Sequence, residues 1–507
     1  MIILGVGITV LAVLGVGIIV AKKVDGDSEN FLVAGRRLGV PLVAVSLTAA
    51  AVDANATVGN TDLTADFGFW SGASLAIGLA ICLLLAGLFL ARPLNAMRLY
   101  TLGDFFRVRY GRGTEVTASI IMSFAFTILL AGNLVACGFL MERFANIPYA
   151  WGIVLVAALV VAYTIAGGLF SDAYTAAIQT TITVVAALAL LGWTALTFGI
   201  VIPEGKGPLD LGQLTDPAQG AAINWATLVA LGIGDLVAID FMQRIFGARS
   251  PEVARRSCFT AAALTAGIGT IFALVALTAS AVLGLTAADG PVLYQLLDGW
   301  APPLISILVL SGIVAASFST ASGAILATSA VIVRNIFKLR RTTIQGARDP
   351  LLTWTRLAMI PIVVVGGFVA INVSQTGVLL TLAFDLMLAC LAAPFIAGVF
   401  WRRPGRVATL VSAALGLVVR LTLLVLQPTI YGVPNDILYV PNDLVTSDLD
   451  GWVTLIAFGV SLAAFFLISW LSPRTEAELA DELAAIESLH AEQAEAPSGR
   501  AEVPVPA

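Results

Sequence analysis

The chain has 507 residues, of which 59% are hydrophobic and only 12% charged, with a mean hydropathy of +0.97 and a formal net charge of −5. A soluble domain carries about a quarter of its residues as charges, so this is the composition of an integral membrane protein and not of a string of soluble domains. The one histidine, His490, lies in the C-terminal tail, and Cys82, Cys137, Cys258 and Cys390 all lie inside apolar runs. Histidine proton relays, haem ligation, zinc sites and disulfide frameworks are thereby disfavoured, and with them most membrane enzymes. No nucleic-acid partner is expected.

Crossing about 30 Å of hydrocarbon takes roughly 20 apolar residues. Thirteen windows qualify as spans: 2–21, 40–66, 70–94, 115–141, 149–168, 173–200, 223–246, 254–286, 300–335, 352–373, 377–401, 406–427 and 450–471. The first has no basic stretch before it and no small-residue cleavage site after it, which reads as a retained helix. Alternate loops differ in charge. Lys22, Lys23, Arg36 and Arg37 follow span 1, Arg92 to Arg112 follow span 3, and Arg244 to Arg256 cluster at the end of span 7. Arg334 to Arg348 follow span 9, and Arg402, Arg403 and Arg406 follow span 11, whereas the other loops hold only Arg143 and Lys206. Basic loops stay on the cytoplasmic side, so the N-terminus is expected outside and the C-terminus inside a multi-pass plasma (inner) membrane protein. Residues 1–472 form one transporter-like membrane domain. Residues 473–507 read as a cytoplasmic acidic tail, a solvated helix to about residue 493 followed by a Pro-rich disordered tip.

Two spans are interrupted. Span 2 carries Asp53, Asn55, Thr57, Asn60 and Asp62 in a stretch that should be hydrocarbon, and span 7 carries Gly232, Gly234, Asp235 and Asp240. A carboxylate at the bilayer centre costs about 2.5–3.5 kcal/mol on insertion scales, and irregular backbone is tolerated there only where it faces a cavity. Span 7 starts five spans after span 2, an odd number, so the two enter the membrane from opposite sides. The arithmetic is that of an inverted repeat, spans 2–6 against spans 7–11, with two discontinuous helices meeting at mid-depth where ions and solutes bind. Span 9 adds Ala316, Ser319 and Thr320 at i, i+3 and i+4 on one helical face. Their oxygens suit a hard cation, although hydroxyls in membrane helices also bond their own carbonyls.

Four segments in order resemble the sodium/solute symporter family: FLVAGRRLG from Phe31, YTIAGGLFSDAYTAAIQ from Tyr163, DFMQRIFGARS from Asp240 and AASFSTASG from Ala315. The resemblance implies an all-α inverted-repeat fold with flanking helices. It also implies a sodium site made of the Ala51, Ala54 and Ala316 carbonyls with the Ser319 and Thr320 hydroxyls. Asp53 falls where sodium/proline members carry an aspartate that matters for sodium, and it either tunes cation affinity or binds a substrate amine. Many members have an aspartate after the threonine of the Gly-Gly-Leu segment, which in some contributes to a second ion site. Here that position is Ala176, facing Gly323, so one sodium per solute is expected; Asp172 is placed at a helix boundary. The stretches from Gly87 and Leu382 resemble the high-affinity choline carriers and their bacterial relatives, yet a cage tryptophan of those carriers is matched by Asp53.

The expected function is secondary active transport, inward sodium flow coupled to uptake of a small polar or cationic organic solute by alternating access, with a monomer sufficient. The solute-binding residues expected are Asp53, Asn55, Asn60, Asn133, Gly234, Asp235 and Asp385. Proton coupling through Asp53 or Asp385 is the competing reading, and the span 9 hydroxyls weigh against it. A sensor is disfavoured by the short tail, and an enzyme by a core with no nucleophile–base or metal constellation.

Overall fold

A computed structural model describes residues 2–341, 349–435 and 438–494. Apart from a two-stranded turn pairing Thr429–Ile430 with Val433–Pro434, the described residues form helices and connecting turns. Ten helices are long and apolar enough to cross a membrane, and two bent helix pairs raise the number to twelve. The remaining expected span, 149–168, corresponds to the helical stretch from Tyr149 to Gly168. This stretch runs into the sixth span through a kink at Gly168, φ 52° and ψ −144°. A Cβ at Gly168 would stand 2.4 Å from the Phe31 carbonyl, so only glycine allows the close turn.

The loops sort onto two faces by their mutual contacts. On the basic face Arg36 donates to the carbonyls of Phe246, Arg98 and Leu99, Asn95 to those of Ile245 and Ala248, and Arg341 to the carboxylates of Asp27 and Glu29. On the opposite face Lys206 donates to the Asp66 carbonyl, the Val292 N–H to Asp62, and Arg143 to Asp298. Loops that alternate in sequence charge therefore also alternate in space. All four cysteines are buried thiols.

The acidic tail departs from the sequence expectation. Its helix, Glu476–Ala494, is not solvated all round but packs on the basic face against helix Leu102–Tyr110. Glu492 receives both terminal nitrogens of Arg334 at 2.8 and 2.9 Å, while the Arg334 Nε donates to Asp104 at 2.8 and 2.9 Å. The Arg334 guanidinium lies 4.4 Å from the centre of the Tyr100 ring, and that of Arg36 lies 5.1 Å from it. Arg406 pairs with Asp481, and Arg474 and Arg109 with Glu482. The reason is complementarity: the tail's carboxylates meet arginines contributed by three distant loops, which its own sequence does not reveal. The expected Pro-rich tip lies outside the described residues.

Candidate ion and solute site

Span 2 breaks where short polar side chains offer the backbone an alternative to the helix ladder. Helix Val40–Ala51 ends at Val52, φ −101° and ψ 68°, and the second half, Asn55–Phe67, leaves at an angle of 57°. Asp53 organises the break. One carboxylate oxygen accepts the Ala56 N–H at 2.9 Å, and the other accepts the amides of Asn55 and Asn133, each at 2.7 Å. The Thr57 hydroxyl donates to the Asp53 carbonyl at 2.7 Å. The charge is thus held by N–H dipoles and the start of a half-helix.

Span 7 breaks in the same manner. Ala221–Val237 and Ile239–Gly247 meet at 49°, with a tight turn over Gly234–Val237. Gly234 is pressed against span 11, where a Cβ would stand 2.3 Å from the Phe384 carbonyl. Beyond the break, Asp240 and Arg244 face each other one helical turn apart. Arg244 donates to Asp240 at 3.2 Å, to Asp172 at 2.8 Å and to the Ser46 hydroxyl at 2.9 Å, and all of these groups are buried.

Asp172 stands one helical turn after the Gly168 kink, at the start of span 6. It joins spans 2, 6, 7 and 9, also accepting the hydroxyls of Ser322 at 2.7 Å and Ser319 at 3.4 Å. Gly323 makes room for this cluster, since a Cβ there would meet the Arg244 guanidinium at 2.7 Å. The sequence signal was available in part: an acid and an arginine at i, i+4 in an apolar span.

On span 9 the Thr320 hydroxyl reaches the broken end of span 2, donating to the carbonyls of Ala49 and Ala50 at 3.2 and 3.1 Å. Ala316 lines a small adjoining crevice with Thr48, Ala49, Val52, Thr180, Thr183 and Ile268. Ala51 and Ala54 flank the break and are buried. The expected ion-site residues thus lie at the break, except that the carbonyls meeting Thr320 are one and two residues before Ala51, and Ser319 turns to Asp172. A set made of hydroxyl and carbonyl oxygens suits a hard cation such as sodium.

A second, narrow cavity of about 10 Å³ lies against the other side of the break. Its wall is formed by Ala50, Asp53, Leu79, Leu129, Asp240, Phe241, Leu380 and Phe384. Of the expected solute residues, Asp53 is on this wall, and Asn55 and Asn133 stand behind its carboxylate. The others lie elsewhere. Asn60 ties span 2 to span 8 through the Gly269 carbonyl at 2.9 Å, and Asp235 sits beside the Cys82 thiol. Asp385 pairs with Arg420 of span 12 and accepts from Thr454 of span 13 at 3.1 Å. Asp240, Phe241 and Phe384 are wall residues that the sequence reading did not select.

The family model of the sodium:solute symporters, described as "Sodium:solute symporter family", matches residues 31–416. The chain belongs to this family. Among curated relatives, this symporter is 28% identical over 401 residues to an osmoregulated proline transporter of Bacillus subtilis, covering 74% of this chain and 78% of the relative. It is 25% identical over 356 residues to a high-affinity choline transporter of Torpedo marmorata, covering 64% and 58%. Among solved structures, a sodium-coupled sialic acid symporter superposes with a TM-score of 0.72 at 18% identity, over 93% of this chain and 98% of that one. The nucleobase-cation symporter Mhp1 gives a TM-score of 0.56 at 15% identity, over 89% and 97%. These likenesses establish the transporter fold. The symporter is a multi-pass membrane protein and not an enzyme.

Proposed function

We propose that this symporter couples inward sodium flow to uptake of a small organic cation. The observation that carries the reading is the wall of the larger cavity. Its polar side chains are two carboxylates, Asp53 and Asp240, its arenes are Phe241 and Phe384, and the remaining four residues are aliphatic. Asp240 is already paired with Arg244, so the charge open to a solute is that of Asp53. An anion or the carboxylate of a zwitterion would meet like charge there, whereas an ammonium with an apolar body meets opposite charge and two ring faces. Asn133 and Asn55 hold Asp53 in place for this task.

Sodium is read as bound at the break of span 2, between the carbonyls of its first half and the Thr320 hydroxyl, with Ala51, Ala54, Ala316 and Ser319 completing the shell when Ser319 turns from Asp172. Arg244, as a tethered cation, supplies the positive charge that Asp172 and Asp240 need, which supports a single sodium per cycle. Spans 2–6 and 7–11 are read as inverted halves whose broken first helices meet here, and the basic face as cytoplasmic. Sodium and solute then share the hinge of span 2, so each favours the closed arrangement that the other needs, and their affinities rise reciprocally. Two positive charges move per cycle, each driven by about 2.3 kcal/mol per 100 mV.

The test is uptake into proteoliposomes from a panel of cationic, zwitterionic and anionic solutes, under a sodium and then a potassium gradient, with charge movement recorded. Sodium-dependent uptake of cations with two charges per solute is expected. Uptake indifferent to sodium, or confined to anions, would refute the proposal.

A further inference from the structure

The carboxylate of Asp235 has no hydrogen-bond partner on either oxygen and is fully buried, in the Gly234–Val237 turn that breaks span 7. Every other carboxylate in the centre of the molecule is satisfied or paired. Asp53 holds three N–H donors, Asp172 and Asp240 share Arg244, and Asp385 has Arg420. Four helical segments pack closely on the Asp235 turn: Ala221–Ile233, Phe69–Leu85, Thr376–Met387 and Leu388–Ala392. None of them carries a lysine, arginine or histidine. The titratable groups they present are the thiols of Cys82 and Cys390 and the already paired Asp385. Across the break stand two more acids, Asp240 and Asp53.

An ionised carboxylate with no counter-ion and no donor beyond the weak one of the Cys82 thiol costs several kcal/mol in such surroundings, and proteins avoid that cost by neutralising the group. Asp235 is not on the wall of the solute cavity, and a proton is the one neutralising ligand that needs no further space. From this geometry we infer that Asp235 is a proton-binding site, loaded with one proton whenever its turn is buried as it is here. The site does not depend on sodium being the coupling ion or on the solute being a cation. Because it lies in the hinge of span 7, opening that wets the turn lets the proton leave, and closing takes it up again. Acid therefore favours the closed arrangement.

Two measurements on the purified full-length protein in lipid test this. In infrared difference spectra at neutral pH, the wild type minus Asp235→Asn is expected to contain the carbonyl band of a protonated carboxylic acid, shifted by deuterium oxide. A difference spectrum with only carboxylate bands would overturn the inference. The second is thermal melting from pH 5 to pH 8. In the unfolded chain the carboxyl ionises above about pH 4, while the folded one keeps its proton. The wild type should therefore lose stability relative to Asp235→Asn as pH rises. Parallel melting curves for the two would overturn it, and Asp235→Glu, which retains an ionisable group, should keep the pH slope. The infrared result stands on the wild type's own pH titration if Asp235→Asn proves unstable.

Discussion

Arg244 is the residue on which the most buried charge depends. Its replacement by methionine leaves Asp172 and Asp240 in an apolar interior without a cation, a defect of about 3–5 kcal/mol. Unfolding in detergent should show a loss of that order, and Asp172→Asn in the same background should recover part of it. Full wild-type stability in Arg244→Met would mean that the acids find other partners. Asn133→Leu removes one of the three donors to Asp53, which should cost about 1–3 kcal/mol in stability and weaken cationic solute binding without altering sodium affinity to the same degree. At this scale the sequence was informative about isolated charges. Asp53, Asp235 and Asp385 stand out in apolar windows because their burial is costly. Their partners do not stand out, since Asn133 is 80 residues from Asp53 and Arg420 is 35 residues from Asp385. Whether an acid faces a cavity or a guanidinium is decided by packing that no local pattern encodes.

The elements were more legible than the contacts. Apolar windows located the long helices to within a few residues, and the two breaks followed from polar residues and glycine in a run that should have been hydrocarbon. The fifth span runs from Tyr149 to the kink at Gly168, where the sixth begins. The tail helix was recognised but not its docking. Deleting residues 476–507 should strip acidic partners from Arg109, Arg334 and Arg406 and lower the melting temperature. Glu492→Gln should reproduce part of the loss. The docked tail should also respond to acid. Burial alone would raise Asp104, but Arg334 and Arg340 outweigh it and hold its carboxyl below the ordinary carboxylate range. Its contribution is therefore complete above the unfolded value of about 3.9 and is lost as pH falls through the lower folded value. Acidification through that lower folded value should weaken the Asp104–Arg334 anchor on which the tail docks, detectable as faster protease cleavage near Arg474. Cleavage at the same rate at pH 7 and at a pH well below the folded value of Asp104 would show that this anchor does not hold it.

For the whole molecule, the family match and the superposition on solved symporters establish the transporter fold, and two of its spans are broken. Two small clefts adjoin the span 2 break, so a ligand at either one bears on the same hinge. The central claim is that the broken end of span 2 and the Thr320 hydroxyl grip sodium. Equilibrium binding of radioactive sodium to the purified protein in potassium buffer tests it most directly, comparing wild type with Ser319→Ala/Thr320→Ala. One saturable site in the wild type, absent in the double variant with its fold intact, is the predicted result. Undiminished sodium binding in that variant would contradict the account.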